Sequence, residues 1–431
     1  MNKSSLGVAA LALLGTVGAA AAGAQAPQPF TLAQAQALAL QHRPRLQAAV
    51  ATAQAAAQNP RALRSVYFPQ LSGDLTGVGA ETNSRIAAGG LNNPVIYSRY
   101  ANGLSLSQLV TDFGHTANLV KSSRLDAQAR QQDTLATRAQ VLLQVDQSYY
   151  GALQAQAVLR VAQQAVQERQ LIAHQVGVLE KNKLRSTLDV SFAQVNLAQA
   201  QLLLSQARAE VKSSFADLAL ALGTALPPGA RLQDGPLPAT PPADVTPLVA
   251  EALRHRPELA SAGLELSSAQ AYAQAERDLW RPTVSAVASA GLTPTGAQQL
   301  PDRYAAAGIN LSLPLFNGGL FAARRIQANY QADATQRQMQ ELENQITHDV
   351  QVAWLKAQTA QEQLGLTQEL ERQATLAMHL AQSRYRLGLG SIVELSQAQL
   401  NQTQADIAQA QAKYQFQMAS DDLDFQLGRI R

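Results

Sequence analysis

ALRHRPEL, residues 252–259, repeats ALQHRPRL, residues 39–46, at a distance of 213 positions. Both octapeptides run a helix-forming Ala-Leu start into His-Arg-Pro, and proline is tolerated in a helix only in its first turn. Each copy therefore marks a hinge where one helix stops and another begins. A histidine there is a conceivable metal ligand, but no second ligand lies one turn away, so the motif reads as structural. Its recurrence implies that a whole unit has been written twice.

The register extends outward from the motif. Tyr67-Phe68-Pro69 falls on Trp280-Arg281-Pro282 at the same offset of 213, whereas Gly114 falls on Gly319 at 205, so the second copy is eight residues shorter in one loop. Beyond it Val141 matches Ile346, Tyr149 matches Trp354, Leu184 matches Leu389, Asp189 matches Glu394 and Gly223 matches Gly428. The stretch GTALPPGARLQDGPLPATPPADVTP between the copies carries too much proline and glycine to continue a helix and reads as a semi-rigid linker. The expected organisation is a signal peptide at 1–24, a first repeat at 25–222, the Pro-rich linker at 223–247 and a second repeat at 248–431. Each repeat is expected to contain helix, β-hairpin, long helix and return helix.

The N-terminus places the chain in a cell envelope. One Lys, the apolar run LGVAALALLGTVGAAAAGA and an A-G-A ending at Ala24 form a secretory signal, with cleavage expected after Ala24. There is no cysteine, hence no disulfide, no thiolate metal site and no lipid-bearing cysteine. After the signal no apolar run approaches the ~20 residues a membrane helix needs, which leaves a β-barrel as the membrane option. A net charge of +3 with scattered Lys and Arg and 5% aromatics offers no basic stripe or stacking platform for nucleic acid.

Within each copy the periodicity changes in the same order. Residues 30–64 and 245–279 are Ala-, Gln- and Leu-rich and helical. Period-two segments follow. Leu71 and Leu75 alternate with Gln70, Ser72, Asp74 and Thr76; Leu104 and Leu106 with Ser105 and Ser107. In the second copy Val284, Ala286, Ala288, Ala290 and Leu292 alternate with Thr283, Ser285 and Ser289, and Ile309, Leu311, Leu313 and Leu315 oppose Asn310 and Ser312. These predict two hairpins with one oily and one wet face, joined by loops around 81–96 and 293–303. Tyr67, Phe68, Phe113, Trp280, Tyr304 and Phe316 near the strand ends resemble interfacial aromatics.

Two proline-free stretches come next, about Thr116 to Val178 and about Leu320 to Leu387, predicting helices ~100 Å long. Ile346, Val350, Ala353, Ala357, Ala360 and Leu364 keep a coiled-coil spacing, as do Leu142, Val145, Tyr149 and Ala152. Short breaks, KNKLRST at 181–187 and RLGLGS at 386–391, precede return helices of roughly 35 residues. Four strands are too few to close a barrel in lipid, where closed barrels start at about eight. Copies must share a wall; three would give twelve strands, with the helices prolonging the bore.

The double copy, LVTDFGH at 109–115, LPLFNGG at 313–319, YRLGLGSIVEL at 385–395 and LDVSFAQVNLAQAQ at 188–201 together resemble the TolC family of outer-membrane efflux proteins. The resemblance covers about residues 30–428. It implies a mainly α chain with a β-barrel portion: a homotrimer with a TolC-like α/β-barrel, four strands per chain, and long antiparallel coiled-coil helices. It further implies an outer-membrane location with a helical tunnel in the periplasm, and contact with outer-membrane lipid. The implied partners are a periplasmic adaptor (membrane fusion protein) and an inner-membrane transporter, with no cofactor. Lacking the lipidated cysteine, the chain is similar to the non-lipidated members.

The resemblance also carries site residues. At the pore entrance Asp189 and Glu394 match the acids that narrow the periplasmic mouth, Gln397 stands where the family has a second acid, and Tyr385 matches a gate tyrosine whose hydrogen bonds help hold the mouth shut. A ring of carboxylates there favours cations. Ser186-x-x-Asp189 and Ser391-x-x-Glu394 equally fit capping boxes, and both roles are compatible. Leu184, Arg185, Ser186 and Thr187 in one copy, with Arg386, Leu387, Gly388, Leu389, Gly390 and Ser391 in the other, match the tip that meets the adaptor. The two glycines are expected to adopt backbone angles that strain other residues. Exposed leucines on a charged tip point to a partner, although an ordinary helix-hairpin turn also accounts for the glycines.

Three other classes compete. An enzyme lacks residues to stand on, with no phosphate-binding Gly-rich loop, no H-E-x-x-H and no G-x-S-x-G. A soluble periplasmic helical adaptor or scaffold would need one hairpin and no oily strands. A stand-alone outer-membrane diffusion porin would conduct without partners.

Overall fold

The computed structural model describes residues 29–79, 99–227, 229–294 and 301–430. The expected signal at 1–24, the loop at 81–96 and residues 295–300 of the second loop lie outside the described residues. In chain order the elements are β1 (Pro29–Phe30), α1 (Leu32–His42), α2 (Pro44–Ala56), α3 (Asn59–Arg64), β2 (Gln70–Val78), β3 (Arg99–Thr111), α4 (His115–Lys181) and α5 (Thr187–Leu222). These are followed by β4 (Arg231–Leu232), α6 (Thr246–His255), α7 (Pro257–Asp278), β5 (Thr283–Leu292), β6 (Arg303–Ser312), α8 (Leu320–Arg386) and α9 (Ile392–Gln426).

Both His-Arg-Pro motifs break a helix where expected, between α1 and α2 and between α6 and α7. The structure supplies the reason for the repetition. Return helices α5 and α9 end on Gly223 and Gly428, with φ of 73° and 72°, and each glycine lies against a hinge. A Cβ on Gly223 would stand 2.9 Å from the His42 carbonyl oxygen, and one on Gly428 3.0 Å from that of His255. The motif's arginine then fastens the contact. Arg43 donates to the Leu220 carbonyl and to Gln144 at 2.9 Å; Arg256 donates to Gln426 at 3.0 Å and lies 5.6 Å from the centre of the Phe425 ring.

Long helices α4 and α8 have 67 residues each, and each starts at a left-handed glycine, Gly114 or Gly319. Every residue of the two expected seams is buried. Alanine at half of the α8 positions lets α8 and α9 approach closely, while Val141, Val145, Tyr149, Leu218, Leu222 and Tyr414 make the largest core, where α1, α4, α5 and α9 meet. The linker is bound across this core. Arg231–Leu232 pairs in parallel with Pro29–Phe30, and Tyr149 accepts the Gln233 amide at 3.0 Å beside the Phe30 carbonyl at 2.6 Å. Trp354, the counterpart of Tyr149, donates to the Pro242 carbonyl at 2.8 Å. Equivalent aromatics of the two copies thus hold successive parts of one strap.

The four long strands form one antiparallel sheet in the order β2-β3-β5-β6. Leu71 and Leu75, Leu104 and Leu106, Val284 to Ala290 at even positions, and Ile309 and Leu311 share one face. Ser72, Asp74, Ser105, Ser107, Ser289, Asn310 and Ser312 share the other, where Ser105 bonds Ser72 at 2.7 Å and Asp74 at 3.0 Å. A register shift between Leu109 and Thr111 bends β3 beside the start of α4. The oily face is bare: Leu71, Leu75, Ile309 and Leu311 are each at least 64% exposed. Tyr67, Phe68, Phe113, Trp280 and Phe316 gather at the helix end of the sheet, and Trp280 meets Phe321 edge-on at 5.6 Å. Tyr304 departs from the expected interfacial role. It pairs with Gly291 on the wet face, and its hydroxyl would lie 2.3 Å from a Cβ on Gly103, so it lies across two glycines that leave room for its ring.

Candidate functional site

The tips of the two helical hairpins, 182–186 and 387–391, are built alike. Leu184 N donates to Leu179 O, and Leu389 N to Arg384 O, both at 2.9 Å, closing each helix with a six-residue turn around a left-handed residue. That residue is Gly388 in one copy, with φ of 78°, and Lys183 in the other, with φ of 58°. The expectation for Gly390 is corrected: its backbone lies outside the left-handed region, and what it supplies is space. A Cβ there would stand 3.2 Å from both the Arg384 Cβ and a carboxylate oxygen of Glu394.

Its counterpart Arg185 has no such crowding and bridges the tips. The guanidinium donates to the Tyr385 carbonyl at 2.6 Å and stacks 4.3 Å from the centre of the Tyr385 ring. Tyr385 is only 6% exposed, and its hydroxyl has no hydrogen-bond partner among the described residues. Burial pushes that phenol above its ordinary value. Within one chain, what holds Tyr385 is an arginine on its ring and on its main chain.

The two acids expected at the entrance differ. Asp189 completes a capping box with Ser186, its amide bonding Ser186 Oγ at 3.1 Å and its carboxylate accepting the Ser186 amide at 3.2 Å. Glu394 makes only half of one. Its amide bonds Ser391 Oγ at 3.1 Å, but its carboxylate turns to Arg384 at 3.0 Å, because the longer glutamate reaches across the turn. Gln397 bonds Asn401 one turn along its own helix at 2.8 Å. Thr187 opens α5 and Arg386 ends α8. Leu184, Leu387 and Leu389 are 68%, 74% and 67% exposed, an apolar surface that none of the described residues covers.

Above the tip lies a network that motif reading missed. Arg169 on α4 is 6% exposed and donates to the carbonyls of Asn196 and Gln399 and to Thr403 Oγ1, the last at 3.0 Å, while Asn196 donates to Ser396 at 2.7 Å. Burial pulls this guanidinium below its ordinary value. It is a cation held by carbonyls where the first hairpin meets the second. Higher still, Asp406 is pushed up to about 6 by burial and by Glu371 and Glu168. Neither cluster has a sequence signature, since their members come together only when antiparallel helices set distant residues at one height.

No helix among the described residues is long and apolar enough to cross a membrane. The membrane-facing element is the sheet, with a bare oily face and two open edges, and from it run helices that end in a polar, exposed tip. That combination defines a channel-forming protein of the outer membrane, built for transport. Residues 36–224 and 248–429 match the outer membrane efflux protein family, and the chain belongs to it. It is 24% identical over 367 residues to the probable efflux pump outer membrane protein TtgC of Pseudomonas putida, covering 83% of this chain and 74% of that protein. With the alkaline protease secretion protein AprF of Pseudomonas aeruginosa it shares 27% identity over 311 residues, 67% of this chain and 62% of that one. The outer-membrane channel OprN has the same fold, with a TM-score of 0.80 at 22% identity over 92% and 89% of the two chains. An efflux component of the outer membrane works with pump partners.

Proposed function

We propose that three copies of the chain close one twelve-stranded barrel in the outer membrane and continue it as a helical tunnel through the periplasm, whose mouth is lined by Asp189 and Glu394. One observation carries the reading: a four-stranded sheet, oily on one face and unpaired at both edges, continues into 67-residue helices. An open edge is not tolerated in lipid, so the wall has to be completed by further copies. The tips, with exposed Leu184, Leu387 and Leu389, face a periplasmic adaptor that links the duct to an inner-membrane transporter. The cargo is selected by that transporter.

The acids at the mouth differ in what they contribute. Glu394 has Arg384 as a close counter-ion, whereas the Asp189 carboxylate accepts the Ser186 amide and has no ion pair among the described residues. Cation preference in planar bilayers is expected to fall with Asp189→Ala, to fall little with Glu394→Ala, and to rise with Arg384→Ala. Reversal potentials unchanged by all three substitutions would reduce these residues to capping. High conductance in the absence of any partner would move the protein to the diffusion porins.

A further inference from the structure

Where the end of α9 lies against the second His-Arg-Pro hinge, a cavity of about 530 Å³ opens beside α4. That volume falls within the roughly 300–1,000 Å³ of small-molecule sites. Its apolar lining comes from Leu135 of α4, Pro257 and Ala260 of α7, and Ile430 beyond α9. Its charged lining is basic: Arg138, one turn after Leu135 on the same face of α4, and Arg254 and Arg256 of the hinge, with no acid among the described residues that line it. Arg256 is neutralised by Glu258 at 3.2 Å. Arg254 commits only its Nε, to the Ala250 carbonyl at 3.0 Å, and Glu251 beside it on α6 is taken by Arg429 at 2.8 Å. Arg138 and Arg254 therefore line the cavity without an ion pair among the described residues.

The duplication supplies a control. The residues that build the hinge are kept in both copies: Ala-Leu, His-Arg-Pro and the glycine that lies against it. The residues that line the cavity are not kept. Leu135 and Arg138 have Gln340 and Glu343 as counterparts on α8, Arg254 and Ala260 have Gln41 and Gln47 at the first hinge, and Ile430 has Ala225. Formation of a hinge does not require an apolar, arginine-bearing lining, since the first one forms with glutamines at the matching places.

We propose that the cavity is a binding site for a free amphipathic anion, a small molecule with an apolar body and a carboxylate or phosphate head. The forked guanidinium groups of Arg138 and Arg254 match an oxyanion in charge and in geometry, while Leu135, Ala260 and Ile430 take the hydrocarbon. A membrane lipid does not reach this place, because Arg138 lies roughly 35 Å along α4 from the sheet end of that helix. The ligand is therefore one that travels in solution. Bound there, it ties α4 to the hinge and to the end of α9, so occupancy stabilises the fold. The site lies within one chain and stands whether or not three copies close the ring.

The full chain is placed in nanodiscs of phosphatidylcholine, which carries no net charge, and titrated with octanoate by equilibrium dialysis against empty nanodiscs. A single saturable site per chain is expected, with an unfolding midpoint that rises as octanoate is added. Arg138→Glu and Arg254→Gln install the residues that the other copy carries. Each is expected to weaken octanoate binding about tenfold and to leave the midpoint without octanoate unchanged. Acetate, a head with no body, and octanol, a body with no head, are expected not to compete. Displacement by octanol at equal concentration would overturn the anion assignment, and displacement by acetate would overturn the apolar one. Binding that is absent, or unchanged in both variants, would remove the site.

Discussion

Lys183 and Gly388 stand at the same point of two equivalent turns and make the same left-handed excursion, one with a side chain and one without. For a non-glycine residue that excursion costs ~1 kcal/mol. Lys183→Gly is therefore expected to stabilise the hairpin by about 0.5–1 kcal/mol, seen as a higher unfolding midpoint in detergent, and Gly388→Ala to lower it by a similar amount. Glycine spacing showed that a turn was needed at 388; nothing in KNKLRST showed that a lysine would take the same angle. Buried acids give a second residue-level consequence. Asp146, holding only Gln36 at 2.6 Å, is pushed up to about 6 by burial, and Asp421 to about 7 by burial and then by Asp146 and Asp424. Both values lie above the unfolded value of ~4, so the fold favours the protonated forms. Their contribution is complete below about pH 4 and is lost as pH rises through 6 to 7. The melting temperature is expected to fall between pH 5 and pH 8. Asp421→Asn should remove most of that slope and add roughly 1–3 kcal/mol at pH 8. A slope unchanged in that variant would exclude the pair as its source.

The elements most legible beforehand were those with a single strong period. Alternation placed all four strands, and the seam spacing of α8 placed Ile346, Val350, Ala353, Ala357, Ala360 and Leu364, every one of them buried. Ala357 has no exposed surface, so Ala357→Leu forces extra volume into a close helix contact and is expected to cost about 1–3 kcal/mol in chemical unfolding. Other elements needed the structure. The His-Arg-Pro stretch was recognisable as a helix break, but its arginine binds the end of a helix 177 residues downstream in one copy and 170 in the other, and local sequence does not report so distant a partner. Tyr304 likewise looked like an interfacial aromatic until its strand partner proved to be glycine on the wet face.

At the scale of the whole molecule, the long helices hold two environments about 100 Å apart, the oily sheet and an exposed tip. Leu389 is 67% exposed on that tip, far from every strand. Leu389→Asp is expected to abolish export while leaving the outer-membrane content of assembled protein unchanged, measured as substrate efflux alongside membrane fractionation. Undiminished efflux would remove Leu389 from the docking surface. A loss of assembled protein would show instead that the residue serves folding.

The sequence by itself determined the duplicated unit, the alternating strands and the two long helices. Periodicity and proline placement act over short distances. Only the tertiary structure decided which residues meet across the copies: Arg185 on Tyr385, Arg169 on Gln399 and Thr403 of the second hairpin, and Asp146 near Asp421. Those meetings depend on the relative height of helices joined by turns hundreds of ångströms of chain apart, where a shift of one turn would exchange every partner without altering a single local pattern.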